Sequence, residues 1–324
     1  MKNTSRRTFL GNSAAIGAAL ALSQIVPGLP ELTRGLEAPL QHPGLSFPVS
    51  PRARIAVSSW PFRAYIESPA NSDRNSGLPG MDLKDFAAHV IKEFNVRNIE
   101  PIFNQFSSID RRYLDEFREA VEKAGSHVVN IPVDGEDSYY DPDPAARKRA
   151  VEFGKKWVDV ATIIGSPSIR AGIARPRKAS PNVDLAAEGL RQVVDYGARR
   201  NIIVTLENDD LVSEDAFFLV KIIEKVNNPY LRALPDFCNS MLSGNAAFDY
   251  KAVSAMFKQA YNICHVKGSE VGGNGKDYHI SLPRTFDILK ASHFRGYCSM
   301  EWEGSGNPCT GVHKLIEKTL KYLT

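Results

Sequence analysis

Cysteine is scarce in this chain: four in 324 residues, Cys238, Cys264, Cys298 and Cys309. Three of them fall within or at the ends of separate strand-like runs, where buried thiols are common, so no disulfide framework is expected. Nucleotide-binding glycine turns are lacking as well. No Gly-x-Gly-x-x-Gly follows the first strand-like run and no Walker-type loop occurs, which counts against a Rossmann fold and against a phosphate-binding loop. Neither sign of charge dominates: 40 Lys and Arg against 37 Asp and Glu give a net charge of +3. That excess includes a basic amino-terminal segment and gives no footprint for nucleic acid. The run from Arg175 to Lys178 reads as a solvated loop. Past the amino terminus, no stretch is long and apolar enough to cross a bilayer. With 43% hydrophobic and 24% charged residues, the chain has the composition of one globular domain.

The first residues carry a pattern of their own. Arg6 and Arg7 stand before a short apolar run, Ala14 to Val26, the arrangement of a twin-arginine (Tat) export signal. About 13 apolar residues are too few to span a bilayer comfortably, which favours a removable signal over a permanent anchor. Residues 1–26 are read as that signal, with Ala19-Leu20-Ala21 offering a cleavage site. Residues 27–53, rich in Pro, Gly and Leu without a sustained period, are read as a linker or an arm on the domain surface. The signal implies the Tat machinery as a partner and a periplasmic or otherwise exported protein.

From residue 54 to 324, strand and helix signals alternate eight times. The strand-like runs are 55–60, 98–103, 127–133, 168–172, 201–207, 232–237, 262–268 and 297–303. Helices are expected from Asp82 to Phe94, Asp110 to Ala124, Pro144 to Ile164 and Val183 to Arg200. Four more are expected from Ser213 to Val226, Asp249 to Gln259, Pro283 to Ala291 and Gly311 to Leu323. Asp82 is placed to cap the first helix and Gly125 to close the second. Strands alternating with helices predict a parallel sheet. Eight units over about 270 residues predict an α/β fold, a closed (β/α)8 TIM barrel, rather than an open doubly wound sheet.

Four side chains share one phase of this pattern. Glu207, Asp236, His265 and Glu301 each stand at the end of a different run, at intervals of 29, 29 and 36 residues. Taken singly, a Glu after a strand reads as a loop or capping residue, and a His in an apolar run as a hydrogen-bonded core residue. In a barrel, however, strand ends converge on one rim, where active sites lie. Three carboxylates and an imidazole meeting there repel one another unless a cation intervenes, and a divalent metal resolves the conflict. Lys267, two residues after His265, falls on the same face of its strand. It is placed to bind a substrate oxygen, or to pair with Glu303 or Asp277.

In these positions the chain resembles the xylose isomerase-like barrel superfamily, the sugar isomerases and epimerases that include tagatose epimerase and inosose dehydratase. The shared points are Glu207 ending the fifth run, Asp236 ending the sixth, His265-x-Lys267 in the seventh and Glu301 in the eighth. The glycine-rich segment 272–289 and Glu100 in the second run add to them, and the resemblance spans residues 54–324. It implies one divalent ion in octahedral or near-octahedral geometry, held by Glu207, Asp236, His265 and Glu301. An oxygen-rich set with one imidazole suits Mn²⁺ first, then Mg²⁺ or Co²⁺, with Zn²⁺ as an alternative. The resemblance further implies Glu207 and Glu301 as an acid/base pair, exchanging protons on opposite faces of a sugar through an enediolate.

Lys267, Asn239, Glu100, Trp60 and His279 are the expected substrate contacts, with Arg170 and Trp302 as pocket walls. One position departs from the pattern. Many epimerases of the group carry His three residues after the sixth-strand Asp, where this chain has Asn239. An amide hydrogen-bonds a hydroxyl but does not relay a proton.

The leading expectation is therefore a metal-dependent isomerase or epimerase. Its carbohydrate substrate is expected to be unphosphorylated, because phosphorylated intermediates are usually retained in the cytoplasm. A lyase or dehydratase acting on a keto-glycoside or keto-inositol shares the first step, and Asn239 leans towards it. A non-catalytic carbohydrate-binding barrel would not need both glutamates. The endonuclease branch of the superfamily uses several additional histidines, and of the seven in this chain only His265 lies in the constellation. Barrels of this kind often pair, so a homo-oligomer is compatible with the sequence.

Overall fold

The computed structural model describes residues 42–176, 179–273 and 275–324. The twin-arginine segment and the linker as far as residue 41 lie outside the described residues. Barrel staves form in all eight strand-like runs. They are β1 (Ile55–Ser58), β2 (Asn98–Glu100), β3 with β4 (His127–Val128 and Pro132–Val133) and β5 (Ser168–Ala171). The others are β6 (Ile203–Glu207), β7 (Leu231–Leu234), β8 (Ile263–Val266) and β11 (Tyr297–Met300). Every residue of β1, β5, β6 and β8 is buried, as in strands covered on both faces.

The staves pair in parallel in two sheets, ordered β3-β2-β1-β11-β8 and β4-β5-β6-β7. Two seams join the sheets. At one, the third run pairs with β2 through its first half and with β5 through its second; Pro132, with no N–H to donate, sits in the second half. At the other, parallel bridges Ala233↔Ala260 and Asp236↔His265 tie the β7 stave to the β8 stave. The architecture is that of an α/β TIM barrel whose hydrogen-bond ladder is not continuous around the ring.

The helices are α1 (Phe86–Phe94), α2 (Arg111–Lys123), α3 (Pro144–Ile164) and α4 (Val183–Ala198), then α5 (Ala216–Val226), α6 (Ala246–Phe257), α7 (Leu282–Ala291) and α8 (Pro308–Leu323). Short polar side chains set most of their starts. Asp110, Asp143, Asn182, Asp215, Asn245 and Asn307 each accept a hydrogen bond from a first-turn N–H. Each such cap is worth about 1 kcal/mol. Three starts differ from the sequence expectation for this reason: Asp215, Asn245 and Asn307 begin α5, α6 and α8, rather than Ser213, Asp249 and Gly311. Asp82 caps a 3-10 turn, Leu83–Asp85, that leads into α1.

Below the barrel, at the amino-terminal ends of the staves, Phe47 meets Tyr261 and Tyr297 edge-on at 5.4 and 6.0 Å. Tyr261 also donates to the Pro43 carbonyl at 2.6 Å. Above it, an antiparallel hairpin not anticipated from the sequence, β9 (Ser269–Val271) with β10 (Asp277–His279), follows β8. Trp302, expected in the pocket wall, instead packs on the first turn of α8. A Cβ at Gly311 would lie 2.2 Å from its ring. Among the described residues no helix is long and apolar enough to cross a membrane.

Candidate metal centre

Glu207 ends β6 and His265 lies within β8, while Asp236 stands two residues beyond β7 and Glu301 follows β11 directly. All four are buried, and one donor atom from each lies within 4.8 Å of the others. Glu207 Oε1 is 2.7 Å from His265 Nδ1, and Glu301 Oε2 is 3.2 Å from the same nitrogen. Asp236 Oδ1 accepts from the backbone N–H groups of Cys238 and Asn239 at 2.8 and 2.6 Å. This local turn swings the chain into the 3-10 segment Asn239–Ser243. Asp236 Oδ2 is buried with no hydrogen-bond donor and lies 3.8 Å from Lys267 Nζ. A buried carboxylate oxygen left in that state is costly unless a cation meets it. The orphaned oxygen and a donor set of three carboxylates and one imidazole fit a metal ion.

The electrostatics agree. Burial raises the Asp236 carboxyl well above its usual range; Lys267 offsets part of this, and Glu207 and Glu301 add to it. Burial also pushes Glu207 upward, but the charges of His265 and Arg170 outweigh it and hold that carboxyl at about 2. For His265, burial opposes the charged form, and Glu100, Glu207 and Glu301 together overcome it, raising the imidazole well above its usual value. A metal at Nδ1 would take the place of that proton, so metal and proton compete for the quartet.

Glu100 does not stand where the sequence put it. His265 Nε2 faces its two oxygens at 2.9 and 3.0 Å. Asn130 Nδ2 donates to Oε1 at 2.8 Å and Ser299 Oγ to Oε2 at 2.6 Å. Both oxygens are buried and occupied, so Glu100 is corrected from substrate contact to support for the histidine. It fixes the ring from behind and leaves Nδ1 towards Glu207 and Glu301, the usual carboxylate–histidine arrangement at a metal.

The other expected contacts divide. Lys267 Nζ lies 3.6 Å from Glu301 Oε2 and 2.5 Å from Glu270 Oε2, so its close partner is the hairpin carboxylate rather than Glu303 or Asp277. Asn239 is buried beside the quartet and its Nδ2 donates to Asp209 Oδ1 at 3.2 Å. Trp60 Nε1 donates to Glu303 Oε2 at 2.5 Å, with the Arg63 guanidinium 4.0 Å from the ring centre. His279 is exposed on β10, paired in register with Ser269, outside the buried quartet.

Arg170, expected in the pocket wall, is a fully buried counter-ion. Its Nε is 3.0 Å from Glu207 Oε2, and its Nη2 is 3.2 Å from both Asp209 Oδ2 and Glu214 Oε1. It also pairs with Asp134. The sequence reading missed Asp209, Glu214, Asp134 and Glu270. Asp209 follows the end of β6, where the chain turns and the strand period no longer marks a face. Asp134 and Glu214 are loop residues with no period to mark them.

The comparisons with known proteins bear on the fold and the family. No curated protein is significantly similar in sequence. Among solved structures, D-allulose 3-epimerase from Methylomonas sp. is similar with a TM-score of 0.61 at 15% identity, over 86% of this chain and 98% of that one. The 3-keto-D-glucoside 4-epimerase of E. coli has a TM-score of 0.60 at 13% identity, over 83% and 98%. A xylose isomerase-like TIM barrel protein from Mycobacterium smegmatis, in complex with magnesium, has a TM-score of 0.59 at 16% identity, over 83% and 97%. Residues 88–324 match the xylose isomerase-like TIM barrel family, and the chain belongs to that family.

Proposed function

We propose that this protein is a divalent-metal-dependent sugar isomerase or epimerase acting on an unphosphorylated carbohydrate, with Mn²⁺ as its metal. The observation that carries the proposal is the buried quartet Glu207, Asp236, His265 and Glu301, whose two glutamates come from staves separated by β7 and β8. The similar folds of D-allulose 3-epimerase and 3-keto-D-glucoside 4-epimerase support it. When bound, the ion would polarise a substrate carbonyl and stabilise the negative charge that develops on it. Glu207, at the end of β6 on one side of the quartet, is set to accept the proton next to that carbonyl. Glu301, beside Lys267, is set to return one from the other side. Burial of both keeps bulk water from competing for the proton.

A second reading shares this first step and ends in expulsion of a neighbouring group. It is favoured by Asn239, whose amide occupies a place beside the quartet where an imidazole would relay a proton, and donates instead to Asp209. The Arg6-Arg7 pair supports export through the Tat machinery to the periplasm, where such a sugar would be met.

The test is incubation of the Mn²⁺-loaded protein with free ketoses and with 3-keto-glycosides, followed by NMR of the products. A stereoisomer supports the epimerase, and released aglycone or an alkene supports the lyase. Conversion should stop on chelation and return with Mn²⁺. Conversion of none of these sugars by the loaded protein would overturn the proposal.

A further inference from the structure

Asp209 stands beside the quartet without belonging to it. Its side chain keeps 19% exposure, whereas those of Glu207 and Asp236 have none. Two donors fix it from different sides: Arg170 Nη2 lies 3.2 Å from Oδ2, and Asn239 Nδ2 lies 3.2 Å from Oδ1. Both donors belong to the scaffold that holds the ligands. Arg170 grips Glu207 at 3.0 Å, and the Asn239 N–H donates to Asp236 at 2.6 Å.

The backbone is held just as firmly. Asp209 N–H donates to the Glu207 carbonyl at 2.9 Å. The Asn208 side chain receives the Asp236 N–H at 2.8 Å and donates to the Asp236 carbonyl at 3.1 Å. A surface aspartate in water gains little from such clamping, because ordering a side chain costs entropy. A carboxylate that must meet a ligand at a fixed angle gains a great deal. A carboxylate carries about four acceptor sites, so donors that orient it need not exhaust it.

We propose that Asp209 is a substrate-binding residue, accepting hydrogen bonds from hydroxyl groups of a neutral sugar and thereby selecting its configuration on the Glu207 side. The inference deepens the function proposed above and rests on it. The surroundings favour neutral hydroxyls over phosphate or carboxylate. Arg170 is already paired with Asp134, Glu207, Asp209 and Glu214, and Lys267 with Glu270, Asp236 and Glu301.

The experiment measures binding to the Mn²⁺-loaded full chain by calorimetry, using D-allulose, D-fructose, methyl 3-keto-glucoside and their monodeoxy analogues. Wild type is compared with Asp209→Ala and Asp209→Asn, and Mn²⁺ affinity is measured in parallel. Asp209→Ala should weaken the best-bound parent sugar about 10- to 100-fold, the size of a lost hydrogen bond to a charged group. The analogue lacking the recognised hydroxyl should bind both proteins alike, with Mn²⁺ affinity unchanged and Asp209→Asn intermediate. Equal weakening of every analogue, no weakening, or lost Mn²⁺ binding would overturn the inference while leaving the proposed function standing. Failure of wild type to bind any of these sugars would remove both.

Discussion

The two glutamates of the quartet live in different surroundings. Glu207 is bound by the Arg170 guanidinium at 3.0 Å and by His265 Nδ1 at 2.7 Å, on a strand buried along its whole length. Glu301 Oε2 is 3.2 Å from the same His265 nitrogen and 3.6 Å from the Lys267 ammonium, which it shares with Asp236 and Glu270. A guanidinium is a planar, rigid fork; an ammonium is a point charge on a flexible stem. The site is therefore asymmetric, with one carboxylate paired to a rigid guanidinium and the other to a flexible ammonium.

The largest effect should come from the ligands common to both halves. His265→Ala and Asp236→Ala should each lower Mn²⁺ affinity by more than about 100-fold, beyond what loss of a supporting partner costs. Titration calorimetry showing wild-type affinity in both variants would refute the metal assignment. The comparison itself breaks or holds on a second pair. Arg170→Met should destabilise the metal-free protein by about 3–5 kcal/mol, as removal of one buried partner does. Lys267→Met should cost clearly less, because Asp236 is already raised well above its usual range and can take up a proton in its place. Equal losses in denaturant unfolding would erase the asymmetry.

Much of this site was legible because strand ends in a barrel leave a signal in the sequence. Glu207, Asp236, His265 and Glu301 recur at one repeat spacing, and hydrophobic runs bounded by turns fix the phase at which they emerge. The supporting residues leave no comparable trace. The loop partners of Arg170 come from two different loops, Asp134 after β4 and Asp209 with Glu214 between β6 and α5, and only the fold brings them to one guanidinium. Glu100 was visible as an acidic residue on the second run, but which side of His265 it occupies depends on the Nδ1/Nε2 orientation. The hairpin that delivers Glu270 to Lys267 hides in a glycine-rich stretch that reads as loop. Helix starts slipped by a few residues wherever an Asn or Asp cap overruled the hydrophobic pattern.

Smaller effects sharpen the picture further. Glu100→Gln keeps the size of the group behind His265 but weakens its hold on the ring, and Mn²⁺ affinity should fall about 10- to 100-fold. An unchanged affinity would make Glu100 merely a core residue. The smallest effect concerns Asp249, a carboxyl on α6 outside both halves, which burial raises to about 7. Its folded value lies above its unfolded one, so the folded state holds the proton more tightly and stability is lost as pH rises through about 7. Asp249→Asn removes that loss. The variant should melt a few degrees above wild type near pH ~8, with the gap closing near pH ~4. A gap independent of pH would show that Asp249 acts through packing.

The central claim is that Glu207 and Glu301 move a proton at a carbon held over the quartet. The most direct measurement is the fate of deuterium on the carbon next to the carbonyl of a turned-over sugar, in the Mn²⁺-loaded wild type and in Glu207→Gln and Glu301→Gln. Wild type should release the label to solvent or show a primary isotope effect, and each Gln variant should be slower by about 10²- to 10⁴-fold with metal still bound. Full retention of label on its original carbon, with both Gln variants turning over at the wild-type rate, would contradict the account and leave the four residues holding a structural ion.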